Sequence, residues 1–234
     1  ALTVALIESL QGSYPWMWGG CGVFALLLLP LLKRIPPLPH ARDTAHHASP
    51  VNRKALGFLI ASYTLAGFGY ITSTTYLPVI ARTQLPDLNN VAFYTWLAVG
   101  LAAVPANLLW GKLAGRAGER NALMMALVVQ ALGVSAPAWL PGLTGLVTSG
   151  LLVGGTFTAV VALSMYCGRQ LAPHAASMAL GALTACYGVG QILGPVVTAR
   201  MLESSGSFAP GLLSAAAALI GAAALLLPLG SARF

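Results

Sequence analysis

Charge is what this chain has least of. Asp, Glu, Lys and Arg make up 7% of its 234 residues, and only five of them are acidic. Soluble domains carry about 25% charged residues. The long apolar runs contain no charged side chain in their central parts. That excludes an enzyme with clustered titratable groups at membrane depth, and it removes the usual pointer to an intramembrane ion or proton relay. There is no Ser/His/Asp set, no phosphate-cradling glycine loop and no metal-ligand cluster, and no cofactor is implied. The three cysteines, Cys21, Cys167 and Cys186, have no paired spacing and read as small core residues. The two-residue alternation of a membrane β-strand is also missing.

What is present is apolar. Hydrophobic residues account for 57% of the chain and the mean hydropathy is +0.80. Runs of about twenty such residues are long enough to cross a bilayer as helices, so the fold class is an all-α integral membrane protein. The net charge of +7 does not signal nucleic-acid binding, because it is one-sided. Lys33, Arg34, Arg42, Arg53, Lys54, Lys112, Arg116, Arg120, Arg169 and Arg233 fall on one side of the assigned topology, with only Arg82 and Arg200 on the other. Basic residues in short loops are retained on the cytoplasmic face. The C-terminus of this multi-pass chain is therefore expected in the cytoplasm.

The chain opens on Ala1, and the apolar stretch Ala1 to Leu10 has no charged leader and no cleavage site. It reads as the tail of a helix, and the chain as the later part of a longer one. Tyr14, Trp16 and Trp18 form an aromatic belt ahead of a span ending at Lys33. Residues 34–54 hold Pro36, Pro37, Pro39 and Pro50 with mixed charge and read as a cytoplasmic linker. His40, His46 and His47 there lack a carboxylate or Cys to complete a metal site and read as solvated histidines. Residues 55–234 then divide into six spans: Ala55–Ile80, Val91–Leu113, Asn121–Trp139, Leu143–Cys167, Pro173–Thr198 and Ala209–Leu229.

Between the second and third of these spans lies Trp110 to Arg120, WGKLAGRAGER, read as a short basic loop. Its Gly111, Arg116, Gly118 and Arg120 resemble the Gly-x-x-x-Asp-Arg-x-Gly-Arg-Arg/Lys loop of the major facilitator superfamily of transporters. Gly115 stands where that family has Asp, and Glu119 where it commonly has a base. In the span before Thr198, Gly181, Gly190, Gly194 and Pro195 resemble the core of the superfamily's antiporter motif, although Thr198 and Ala199 replace its closing glycines. The string GFGYITSTTYLPVIAR, Gly67 to Arg82, resembles the YbfB/YjiJ-type branch.

The resemblance implies a secondary transporter of a small organic solute in a bacterial inner membrane, with efflux and a coupling proton as its further implications. It also implies a layout in which 1–33 is the tail of helix five with helix six, 34–54 joins two halves, and 55–234 is the C-terminal six-helix bundle. The lipid bilayer, a solute and the preceding half of the same chain are the expected partners. A non-transporting accessory subunit is the other class considered.

Candidate contacts follow from helical spacing. Tyr63, Tyr70 and Thr74 are spaced by seven and eleven residues from the first, which keeps them within about 20° of one helix face. Five of the six residues from Thr72 to Leu77 are hydroxylated. Thr184, Tyr187, Gln191 and Thr198 form a stripe in the fifth span, and Thr156 lies beside Gly154 and Gly155 in the fourth. In the second, Pro105-Ala106-Asn107 places a kink and an amide near the inner end, and Asn107 is expected either to bond the freed backbone or to touch solute. Two readings stand for these groups: hydrogen bonds between neighbouring helices, or one wall of a solute site. Gly190 and Gly194, one turn apart, are expected to let a neighbouring helix approach closely.

Overall fold

The computed structural model describes residues 51–229 and, before them, Gly19, Gly20, Gly22, Val23, Leu26, Leu27 and Pro30, all helical. Expectations that rest on the linker up to Pro50, its histidines, the N-terminal aromatic belt or Arg233 lie outside the described residues; the end expected of that linker is corrected, because Asn52 caps a helix and Arg53 and Lys54 begin it. The chain divides into two compact units, Ala1–Ala48 and Ser49–Phe234, and the second holds the elements that follow.

Its described residues form six α-helices, with a 3-10 turn at Pro173–Ala175 between the fourth and fifth: α1 (Arg53–Gln84), α2 (Val91–Ala117), α3 (Glu119–Trp139), α4 (Gly142–Leu171), α5 (Ala176–Ser205) and α6 (Ala209–Leu225). No strand occurs among the described residues. The first five are long and apolar enough to span a membrane, and the protein is an all-α, multi-pass membrane protein. α6 is a shorter apolar helix that runs on into turns.

Helix ends explain themselves locally. Asn52 caps α1: its side-chain oxygen accepts from the Ala55 amide at 3.1 Å. Its own amide donates to the Leu171 carbonyl at 3.2 Å, which ties the start of α1 to the end of α4. At the opposite end of α1, the Gly142 amide donates to Oε1 of Gln84 at 3.1 Å. α1 also outruns the expected span: Arg82 lies in its last turn rather than in a loop.

The basic loop expected from Trp110 to Arg120 contracts to one residue. Trp110 through Ala117 complete α2, Glu119 begins α3, and Gly118 alone is non-helical, at φ 85° and ψ 151°. A side chain cannot comfortably take that conformation, whereas glycine can. Sequence composition marked the reversal but not how sharply one glycine executes it.

Packing is dominated by five helix pairs: α1 with α5 and with α6, α4 with α2 and with α3, and α3 with α6. In lipid, helices associate through close packing rather than a hydrophobic drive, and glycines set the approach at several of these seams. A methyl added at Gly154 would meet the Val99 backbone of α2, and one at Gly133 would come within 2.7 Å of Cβ of Leu152 in α4. Gly69 faces Leu219 and Ala215 of α6, where Ser62 also donates to the Ala222 carbonyl at 2.8 Å. Leu59, Leu123, Leu127, Leu146, Leu212 and Leu219 are fully enclosed between these helices.

Candidate functional site

α1 carries the most chemistry. Its Ser62 and Gly69 side is turned to α6. At 100° per residue, Tyr63, Gly67, Tyr70 and Thr74 lie roughly 100–160° round the helix from Gly69. They are thus on the side turned away from α6 and towards α4 and α5.

There the side chains form two stacked ring pairs. Tyr63 stacks on Tyr187 of α5, with ring centroids 4.4 Å apart and planes 25° apart. Tyr70 stacks on Phe157 of α4, at 5.2 Å and 19°. Tyr63 belongs to the buried core, and Tyr70, Phe157 and Tyr187 all pack against that same core. Four rings from three helices thus make one cluster. Tyr63 is enclosed at 2% exposure, while Tyr70, Phe157 and Tyr187 keep part of their surface accessible. Gln191, one turn beyond Tyr187, is likewise half-buried. Neither Tyr187 nor Gln191 makes a side-chain hydrogen bond among the described residues.

The glycines seat α5 against α1 beside this cluster. A methyl at Gly67 would collide with the Tyr187 carbonyl, and one at Gly190 with the Thr64 carbonyl. A methyl at Gly194 would come within 2.7 Å of the Phe68 carbonyl. Gly181, from the same motif, has nothing within 4 Å of such a methyl. Beyond them, the Tyr76 hydroxyl donates to the Pro195 carbonyl at 3.0 Å.

The threonines are differently placed. Thr74 is 7% exposed, and its hydroxyl donates to the Tyr70 and Ile71 carbonyls of its own helix. Thr156 is 1% exposed and donates to the Leu152 and Val153 carbonyls. Such back-bonding occupies the hydroxyl proton. In the expected stripe on α5, Thr184 is exposed and Thr198 is fully buried beside Gly211 of α6. That stripe therefore spans two environments, of which only the Tyr187 and Gln191 part borders the ring cluster.

The basic motif lies at the other end of the bundle. Arg120 donates from Nε to the Leu226 carbonyl and from Nη2 to the Leu227 carbonyl, each at 2.9 Å. These carbonyls belong to the turn that closes α6, and a guanidinium there complements the partial negative charge of a helix C-terminus. Arg120 thereby fastens the start of α3 to the end of α6. Arg116 is exposed and makes no hydrogen bond or ion pair among the described residues. Gly111 and Gly115 border a cavity of about 400 Å³ with Asn107, Trp110, Glu119 and Tyr166. Trp110 is held there by donation from Nε1 to the Gly155 carbonyl at 2.7 Å. Asn107 is exposed on this cavity and makes no hydrogen bond to the backbone near Pro105.

One member of the cluster, Phe157, and one buried polar group elsewhere in the bundle, Gln130, escaped the sequence reading. Phe157 offered only its position beside Thr156, because an apolar ring in an apolar span carries no signal of its own. Gln130 did offer one, as a lone amide amid the apolar residues of α3. It is 1% exposed, and neither amide atom has a hydrogen-bond partner among the described residues.

Comparison with known proteins is consistent with this architecture. Residues 1–227 match the family described as uncharacterised MFS-type transporter YbfB. The human protein solute carrier family 67 member A1 is 30% identical over 187 residues, which is 74% of this chain and 43% of the human protein. The chain therefore spans less than half of that relative's length. Two buried glycines that seat α5 on α1, a reversal made by one glycine and a six-helix membrane bundle thus accompany a match across nearly the whole chain: it belongs to the MFS-type transporter family of YbfB.

Proposed function

We propose that this chain forms the C-terminal part of a secondary active transporter. It moves a small organic solute across the cytoplasmic membrane by alternating access, and the ring cluster on α1, α4 and α5 forms one wall of the solute site. The supporting observation is that cluster: half-buried Tyr70, Phe157, Tyr187 and Gln191 near the middle of their helices, on the side of α1 turned away from α6. Such a wall offers ring surface and hydrogen bonds without formal charge, which suits a neutral or zwitterionic solute. A coupling proton, and the direction of efflux, would depend on groups beyond these six helices, because their central parts carry no charged residue. Transport requires that one site open to each side in turn.

Cysteines placed singly at positions 70 and 191 of an otherwise cysteine-free full-length protein test this without knowledge of the solute. An impermeant thiol reagent added to right-side-out and to inverted vesicles should label both positions from both sides. Labelling from one side only, or from neither, would favour a non-transporting structural subunit.

A further inference from the structure

Four aromatic rings meeting on an uncharged face also restrict what the site can hold, provided the transporter reading stands. We infer that the solute presents a planar aromatic ring, bearing neutral hydrogen-bonding groups, to the α1–α4–α5 wall.

The rings are already arranged to receive one. Tyr63 closes one end of the cluster against Tyr187 at 4.4 Å, and Tyr70 and Phe157 lie nearly parallel at 5.2 Å. Neither pair leaves room between its rings, so a solute ring would add to the accessible faces of Tyr70, Phe157 or Tyr187. Offset stacking of that kind favours a π-system over a saturated ring of the same size. The polar groups at the cluster support the same class. Among the described residues the Tyr187 hydroxyl and the Gln191 amide make no hydrogen bond, whereas the Thr74 and Thr156 hydroxyl protons are engaged by their own helices. Two or three hydrogen-bonding groups match a phenol, a carboxamide or a ring carbonyl. A polyol would leave most of its hydroxyls unmatched on this wall, and an unmatched buried hydroxyl costs binding. A solute with a formal charge at this wall would meet no counter-charge, since the charged residues of these helices lie towards their ends.

The experiment compares 4-hydroxybenzamide with its ring-saturated analogue, 4-hydroxycyclohexanecarboxamide, on the full-length protein in lipid nanodiscs. Binding is read by saturation-transfer NMR titration, with empty nanodiscs subtracting partition into lipid. The aromatic compound should bind at least about fivefold more tightly. Phe157→Leu and Tyr187→Leu, each checked for an unchanged melting temperature, should erase most of that preference. Two variants are used so that misfolding of one does not end the test. Equal affinity for the two compounds, binding of neither, or a preference that survives both substitutions would overturn the aromatic assignment. The two-sided labelling of positions 70 and 191 is independent of it, so failure of the aromatic assignment is distinguishable from failure of the transport reading.

Discussion

Replacing Gly190 by Ala adds one methyl group at the seam between α5 and α1. That methyl would collide with the Thr64 carbonyl, and it would lie 2.9 Å from the Phe68 nitrogen and 3.1 Å from the Thr64 carbonyl carbon. All three are backbone atoms of α1, so no rotamer change relieves the contact. The helices must move apart, and the same seam carries the Tyr63–Tyr187 stack and the Tyr76–Pro195 hydrogen bond. Inserting a methyl into a packed interior costs about 1–3 kcal/mol. Ala is also a better helix former than Gly by about 1 kcal/mol, which would mask part of the loss. Gly181→Ala and Gly188→Ala correct for this, because they sit in the same helix with nothing within 4 Å. The difference between Gly190→Ala and these controls isolates the collision, at about 1–3 kcal/mol. At roughly 2–4 °C per kcal/mol, Gly190→Ala should melt roughly 2–12 °C below them. The assay is thermal unfolding of the purified full-length variants in one detergent, followed by size-exclusion of a fluorescent fusion. A Gly190→Ala protein that melts with its controls would refute the account of this seam.

Other outcomes follow from the same geometry. Arg120→Met should lose about 1.5–3 kcal/mol, the range for hydrogen bonds from a charged group, with a matching fall in melting temperature. Arg116→Met should change almost nothing, and equal effects would remove the Arg120 clasp as an explanation. Gln130→Leu should raise the melting temperature, since a buried amide without a partner costs about 1–3 kcal/mol; a fall would show that Gln130 is bonded in the membrane. Tyr187→Phe and Gln191→Leu should leave melting unchanged and weaken binding of 4-hydroxybenzamide by about 1–3 kcal/mol. Lower stability with unaltered affinity would make both residues helix-packing groups instead. Cysteine at Asp87, in the exposed turn after α1, should react with an impermeant reagent outside intact cells, and cysteine at Gly115 only after permeabilisation; the reverse pattern would invert the topology.

The sequence by itself determined the class of molecule and most of its architecture. Scarce charge and long apolar runs can be stable only in a bilayer, where a helix satisfies its own backbone. A helix stands where each of the six spans after the linker was expected, because a bilayer demands long apolar helical runs, although α1 is longer and α6 shorter than the span read for it. The glycine pair Gly190 and Gly194 was legible for a related reason: small residues one turn apart have few uses besides close approach, and the structure places both against α1.

Partnership was decided by the tertiary structure. Spacing placed Tyr63, Tyr70 and Thr74 on one face, but it could not say that Tyr63 would be closed off by Tyr187 while Tyr70 stayed accessible beside Phe157. Nor could it distinguish Thr156, turned into the bundle, from Gln191 at its margin. Arg120 was read as part of a short basic loop that resembles a family motif, and the structure puts it on carbonyls of the turn after α6, more than a hundred residues away. Periodicity along a helix reports which residues share a face. The helix on the other side of that face is chosen by packing among all six, and no local pattern encodes it.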